Sequence, residues 1–249
     1  MRVLIDDKVC EASYGEYLLQ VAKRNNIYIP TLCHSEALPG EGSCRLCIVE
    51  VIDKGYRKVV TSCIYPITKE ITVVTNSKRI MNMRKTIIRL LSARVPNNET
   101  VSKLREEFDI KDLTRFSTDN IEQCILCGLC VKACEKLGTS AISAVNRGVT
   151  KKISTPYDEP SLVCIGCGAC AYVCPTKAIN IIEDDGRRRI WGKEFQLIKC
   201  ESCGEYYATK EEVEFSTNKL NETSIQNICR KCRKKFNAEK FKEIYTDYK

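Results

Sequence analysis

An α+β fold in four modules is predicted for this chain of 249 residues. Three observations carry the prediction. Sixteen of the seventeen cysteines fall into four groups of four along the chain. Short β-branched runs surround the first group, as small strands require. The second and third groups form an internal repeat, and helical periodicity fills the gap before them. The expected modules are a β-rich domain over 1–76, a helical linker over 77–118, the repeat over 119–186 and a four-cysteine module over 187–249.

Residues 2–5, 46–51, 58–62 and 70–75 read as strands. Residues 16–25 read as a helix with Tyr17, Leu18, Val21 and Ala22 on its apolar face. Cys10, the cysteine outside the groups, reads as a small apolar side chain in a strand. Ser77 is placed to cap a helix running to about Ala93, with Ile80, Met83, Ile87, Leu90 and Leu91 on its buried side. Pro96 ends it, and a second helical stretch covers 100–108.

The N-terminal stretch MRVLIDDKVCEASYGEYLL has no basic region followed by an apolar core and a small-residue cleavage site, so it reads as mature protein. The most apolar stretches, such as 87–93, are too short to span a bilayer. A cytoplasmic location is expected. In a reducing cytosol, clustered C-x2-C pairs bind metal rather than form disulfides.

The formal charge is +8, from 40 basic and 32 acidic residues. Such an excess suits nucleic acid or an anionic membrane. A centre with four thiolates carries about −2 net, so four of them bring about −8 and cancel it. The excess is also local. Residues 187–249 hold 15 basic and 10 acidic side chains, much of the surplus beside cysteines, as in Cys229-Arg-Lys-Cys232-Arg-Lys-Lys. It reads as a solvent-facing surface that offsets bound thiolates. Neither membrane nor nucleic acid is the expected partner.

The repeat is CILCGLCVKACEKLGTSAI against CIGCGACAYVCPTKAI, aligned at an offset of 40 residues. Its spacing, C-x2-C-x2-C-x3-C, with Pro175 after the second copy, is the bacterial dicluster ferredoxin pattern. A tight loop with a ligand every third residue wraps three corners of a [4Fe-4S] cube. The fourth cysteine sits on the helix leaving the loop and points to the partner cube. Cys174 is therefore expected to complete the cube of Cys124, Cys127 and Cys130, and Cys134 that of Cys164, Cys167 and Cys170. Gly128 and Gly168 suit a backbone that curls close to the cube. Glu135 stands where the second copy has Pro175, so the halves are not identical. Two zinc knuckles would be the plain alternative, but zinc does not call for eight cysteines in this spacing. Residues 166–171 match G-x-G-x-x-A, yet the cysteines already claim that loop and no βαβ context surrounds it.

The first group, Cys33, Cys44, Cys47 and Cys63, reads C-x10-C-x2-C-x15-C. Gly40 and Gly42 supply the turn before Cys44, and four cysteines on a small β-domain suit a [2Fe-2S] rhomb. The run "IP.LC…L…G.CR.C.VEV…V.SC..P", then a basic helix, then the dicluster motif, resembles the N-terminal part of the large iron–sulfur subunit of NADH:quinone oxidoreductase. It also resembles the diaphorase iron–sulfur subunits of bidirectional and electron-bifurcating hydrogenases and of related formate dehydrogenases. The resemblance covers residues 1 to about 185 and rests on twelve cysteines in order. It implies a ferredoxin-like β-grasp domain followed by a dicluster domain. It also implies an electron wire docked to a flavin- and NAD(P)-binding subunit, with a second redox subunit or a ferredoxin beyond. One feature departs from those families, which carry a further cluster ligated by one histidine and three cysteines. Residues 84–123 hold neither histidine nor cysteine, and the one histidine, His34, sits beside Cys33 as a neighbour of the rhomb. Either the remaining centres lie close enough for direct transfer, or the order of the wire differs.

The fourth group, Cys200, Cys203, Cys229 and Cys232, reads C-x2-C-x25-C-x2-C. Two such pairs favour a four-cysteine zinc ribbon, with a third [4Fe-4S] as the rival, since neither pair continues as C-x2-C-x2-C. The expected inventory is one [2Fe-2S], two [4Fe-4S] and one zinc. No flavin or nicotinamide fingerprint is present, so catalysis is expected on partners and the chain moves single electrons. A free-standing polyferredoxin shuttle is the alternative in the same class. A cluster-sensing, nucleic-acid-binding regulator is the alternative from another.

Overall fold

A computed structural model describes residues 1–111, 122–220 and 227–246, with side chains as far as residue 242. The end of the expected linker, 112–118, and the start of the expected repeat module, 119–121, lie outside the described residues. The chain forms two compact units. One comprises Met1–Ala133, Ala144–Ile153 and Cys170–Ala178, the other Cys134–Ser143, Ser154–Ala169 and Ile179–Lys249.

The first unit opens with β1 (Arg2–Ile5), β2 (Lys8–Glu11) and α1 (Leu18–Arg24). Then come β3 (Ile48–Asp53), β4 (Tyr56–Thr61) and β5 (Ile71–Val74). They form one mixed sheet in the order β2-β1-β5-β3-β4, with β1 and β5 parallel and the other pairs antiparallel. Alternation sets one face: Val3, Ile5, Val49, Val51 and Val73 pack with Leu18, Leu19, Val21 and Ala22 of α1. Cys10 belongs to this core, and burial pushes its thiol up. Tyr17, expected on the apolar face, is exposed one residue before the helix.

Helix α2 (Lys78–Arg94) starts where Ser77 Oγ accepts from the Ile80 N–H at 3.2 Å. Its buried stripe is Ile80, Arg84, Ile88 and Ser92. This corrects the expected face: Met83 and Leu90 are exposed, although their spacing suits a helix. The apolar residues wind round more than one side of α2, and the side against β3 holds an arginine instead. Ile80 and Ile88, fully buried, each contribute about 1.5–3 kcal/mol. Helix α3 (Glu99–Glu107) follows, capped by Asn98, whose Oδ1 accepts from Thr100 and Val101 N–H.

Helix α4 (Leu129–Leu137) starts in the first unit, and β6 (Ser143–Val145) pairs with β7 (Lys152–Ser154). Helix α5 (Ala169–Tyr172) is a single turn. The second unit contains a meander of β8 (Ile182–Asp184), β9 (Arg187–Ile190), β10 (Lys193–Lys199) and β11 (Tyr206–Thr209), all antiparallel. Helices α6 (Lys210–Leu220) and α7 (Arg230–Thr246) complete it. The run Arg187-Arg188-Arg189 is thus a strand, its charges set against Glu194 and Glu183 at 2.8 and 2.7 Å. Phe195, Leu197 and Ile190 form the buried side of this sheet.

Candidate metal centres

The sulfurs of the first group fall into two pairs. Cys33 Sγ donates to Cys44 Sγ at 3.3 Å, and Cys63 donates to Cys47. The bond from Cys33 holds Cys44 at about 6, and the bond from Cys63 holds Cys47 at about 7. The same bonds, with burial, push Cys33 and Cys63 up. A rhomb has two irons and gives each two thiolates, so two pairs of sulfurs are the donor set it needs. All four cysteines are buried. The Cys44 N–H donates to Cys33 Sγ at 3.3 Å, and Ser62 Oγ donates to the Cys47 carbonyl at 2.8 Å. At Gly40 an added Cβ would lie 2.8 Å from the Cys63 carbonyl oxygen, so the loop can close there only without a side chain. His34 is half-buried beside this site, both ring nitrogens without a hydrogen-bond partner among the described residues, and burial lowers its pKa.

Leu126 and Gly128 have φ of 55° and 81°, and the residues 40 positions on, Gly166 and Gly168, have 67° and 75°. Both loops of the repeat thus turn through the left-handed region at the same two positions. Leu126 N–H donates to Cys124 Sγ at 3.4 Å. The fourth cysteines also match. Cys134 Sγ accepts from Ala141 N–H at 3.1 Å and lies 3.1 Å from Thr139 Oγ1. Cys174 Sγ accepts from Ala178 N–H at 3.3 Å and lies 3.6 Å from Thr176 Oγ1. N–H groups turned onto sulfur are what a bound thiolate calls for.

Cys124, Cys127, Cys130 and Cys174 all lie in the first unit. Burial raises Cys127 to about 11 and Cys130 to about 12, and Cys174 adds a raising charge effect at both Cys124 and Cys127. Three linker side chains, none marked out by the sequence pattern, hold this site. Arg94 Nε donates to the Cys124 carbonyl at 2.8 Å, its Nη2 pairing with Glu122 at 2.7 Å. Asn98 Nδ2 donates to the Thr176 carbonyl at 2.9 Å, and Thr100 Oγ1 to that of Pro175 at 2.9 Å. The start of α3 therefore anchors the segment that carries Cys174. Cys33, Cys44 and Leu46 share one apolar core with Ile125, Cys127 and Leu129, so the two sites in this unit are neighbours.

In the second unit, Cys134 is one of the charges that raise Cys164, after burial. The loop around Cys164 and Cys167 rests on the meander. Lys193 Nζ donates to the Cys164 carbonyl at 2.8 Å, Arg188 Nη1 to that of Gly166 at 2.7 Å, and Thr209 Oγ1 to that of Ile165. A Cβ on Gly166 would lie 2.7 Å from the Phe195 ring, which covers the loop at that point. The sequence reading missed this sheet because a basic run and short polar alternation look like surface.

The fourth group is built differently. Cys200 and Cys203 lie between β10 and β11, while Cys229 immediately precedes α7 and Cys232 lies in its first turn, so the second pair sits at a helix start rather than on a ribbon hairpin. Their four sulfurs lie within 4.8 Å of one another, the one such set of metal-ligand atoms among the described residues. Cys203 and Cys229 sulfurs are 3.8 Å apart. A hydrogen bond from the Cys229 backbone to Cys200 Sγ, at 3.2 Å, holds Cys200 at about 6. Glu201 N–H donates to the Asn227 carbonyl at 2.9 Å and ties the two halves together.

Among the described residues, no helix is long and apolar enough to cross a membrane. Residues 1–78 match the family of 2Fe-2S iron–sulfur cluster binding domains, and residues 123–178 and 163–209 match the family of 4Fe-4S dicluster domains. The chain is 33% identical over 210 residues to the NADP-reducing hydrogenase subunit HndD of Solidesulfovibrio fructosivorans, covering 72% of this chain and 36% of that one. It is 28% identical over 230 residues to an NADH-quinone oxidoreductase subunit of Rhizobium meliloti, covering 82% and 27%. To the NADPH-Fe(3+) oxidoreductase subunit alpha of Geobacter sulfurreducens it is 28% identical over 254 residues, covering 90% and 30%. The chain thus spans about a third of the length of these curated relatives. In fold it is similar to a chain of an NAD+-reducing [NiFe]-hydrogenase in the H2-reduced state, with a TM-score of 0.62 at 24% identity, covering 71% of this chain and 85% of that one. The chain is homologous to iron–sulfur subunits of hydrogenases and NAD(P)-linked oxidoreductases, and it carries a 2Fe-2S domain followed by a 4Fe-4S dicluster domain.

Proposed function

We propose that this chain is the iron–sulfur electron-transfer subunit of a multi-subunit, flavin-dependent, NAD(P)-linked oxidoreductase, working in the cytoplasm between a flavoprotein and a second redox partner. The single observation that carries the proposal is the shared apolar core. It joins Cys33 and Cys44 of the rhomb site to Cys127 of the first cube site, with no intermediate ligand set between them in the sequence. The homology to NAD(P)-linked redox subunits supports the choice of partners.

In this reading Cys33 and Cys44 hold one iron of a [2Fe-2S] rhomb, Cys47 and Cys63 the other. The sheet with α1 packed against it supports a ferredoxin-like β-grasp domain over 1–76. Cys124, Cys127, Cys130 and Cys174 hold the first [4Fe-4S] cube, and Cys134, Cys164, Cys167 and Cys170 the second. When bound, each cluster takes up and releases one electron at a time. The protein's part is to exclude water, turn N–H groups to sulfur and fix spacing. The linker over 77–118 stands where related subunits keep a further cluster. Here it works as a brace, with Arg94, Asn98 and Thr100 holding both ends of the first cube site.

The fourth group over 187–249 is proposed to hold zinc. A tetrahedral ion with Zn–S of about 2.3 Å sets its sulfurs about 3.8 Å apart. A cube puts its thiolates on outer corners, roughly 6 Å apart. The 3.8 Å separation of Cys203 and Cys229 suits the single ion. The dicluster match over 163–209 reaches Cys200 and Cys203 but stops short of Cys229 and Cys232.

Native purification with subunit identification tests the function. Co-purification with a flavin- and nicotinamide-binding subunit is expected. Reduction of NAD(P) by the isolated chain would overturn the view of it as a wire without a substrate site.

A further inference from the structure

Arg84 is 1% exposed, the largest of the fully buried side chains in the described residues. It lies in the middle of α2, between Ile80 and Ile88 on the buried stripe. Its Nε donates to the Leu46 carbonyl at 3.0 Å and its Nη2 to the Ile48 carbonyl at 2.7 Å. Its Nη1 donates to Asn76 Oδ1 at 3.3 Å. Every one of these acceptors is a neutral oxygen, and no ion pair among the described residues includes Arg84.

A permanently charged guanidinium taken out of water is costly unless a negative charge faces it. Neutral donors such as an amide would satisfy two carbonyls at less cost, so the hydrogen bonds alone do not explain an arginine here. The two carbonyls flank Cys47. Burial pulls the arginine's pKa down, and the charges that oppose this are Cys47 first, then Tyr28, Asp6 and Glu107, none of which forms an ion pair with it. The missing anion is then the metal site itself. A rhomb with four thiolates carries about −2 when oxidised and about −3 when reduced.

We propose that Arg84 is the internal counter-cation of the [2Fe-2S] site. It fixes the loop on both sides of Cys47, and it favours the form of the site that has gained one electron and one negative charge. This rests on the reading of Cys33, Cys44, Cys47 and Cys63 as a rhomb. Arg84 is a positioning residue: it touches the ligand loop and acts on the cluster through charge.

The test uses the full chain with its clusters installed. Wild type, Arg84→Met and Arg84→Lys are titrated potentiometrically while the rhomb is followed by its own EPR signal, with the cubes as internal reference. Arg84→Met should shift the rhomb to lower potential and leave the cubes in place. Arg84→Lys keeps the charge and should stay close to wild type. A rhomb of wild-type potential in the Met variant would overturn the proposal, as would equal shifts in the Met and Lys variants. If the Met variant fails to assemble the site, assembly in Lys but not in Arg84→Gln supports the charge role, and any other combination overturns it. Absence of a rhomb signal in wild type would instead sink the ligand assignment beneath it.

Discussion

The first and last cysteine groups each offer four thiols and at least one C-x2-C pair, yet the fold spaces their sulfurs in different ways. Cys33 with Cys44, and Cys47 with Cys63, make two pairs inside a packed core. Cys200, Cys203, Cys229 and Cys232 converge on one point near the surface, with Cys203 exposed. The difference teaches that ligand count does not fix the geometry of a thiol site. The distance between sulfurs is set by the elements around them. A hairpin turn and a helix start bring four sulfurs to one centre. A long loop closing back on a strand leaves them as two pairs.

Four experiments would break or sharpen this contrast. The largest effect is expected from Cys44→Ser with Cys47→Ser. Electron flow between physiological partners of the assembled complex should fall by more than about 100-fold, beyond the loss typical of disturbing a ligand's support. Each partner should keep its half-reaction with artificial dyes. Steady-state turnover measures this, and wild-type turnover in the mutant would put the rhomb off the path.

Next is metal content. Anaerobically purified chain should hold about ten iron and about one zinc. Cys229→Ser with Cys232→Ser should remove the zinc and spare the iron. Elemental analysis giving near fourteen iron and no zinc would erase the contrast by making the last site another cube.

A narrower effect is expected between the two ends. Cys174→Ala should destroy the EPR signal of the cube held by Cys124, Cys127 and Cys130, leaving the rhomb and the zinc untouched. Selective loss of the other cube would show that the fourth ligands do not cross.

The smallest effects concern support. Ser62→Ala removes a buried hydrogen bond to the Cys47 carbonyl and should cost about 1–2 kcal/mol. Asn227→Ala breaks two long side-chain contacts near the last site, to Glu201 at 3.4 Å and from Tyr207 at 3.5 Å, and should cost less than about 0.5 kcal/mol. Denaturant midpoints of the loaded protein would rank the two, and a reversed order would mean that the last site is the more deeply built one.

The cysteines, their order and the repeat were legible because thiol spacing is a local code. The helices of the linker were legible from periodicity and from Ser77, but their purpose was not. An apolar pattern marks Met83 and Leu90 and passes over Arg84, whose counter-charge belongs to a cofactor and has no letter in the sequence. Asn98 was invisible for another reason. Its partner, the Thr176 carbonyl, lies 78 residues away and has no side-chain signature. The basic run at 187–189 read as solvated surface, although Arg188 turns inward to the Gly166 carbonyl. Composition gives only the overall charge balance, whereas the fold balances charge at particular atoms.

The position of Cys174 also bears on how the protein comes to exist. With Cys33, Cys44, Cys47 and Cys63 as its proposed ligands, the rhomb has its full set once residue 63 has been made. With Cys174 as its fourth ligand, the first cube lacks a corner until 44 further residues have followed Cys130. At roughly 5–20 residues per second that delay is about 2–9 s. For that time three clustered thiols, with Asn98 and Thr100 still waiting for the segment they anchor, stand open to oxidation. Loading of the two ends of this wire is therefore separated in time, with the rhomb open to early filling and the cubes bound to wait for nearly the whole of the first unit.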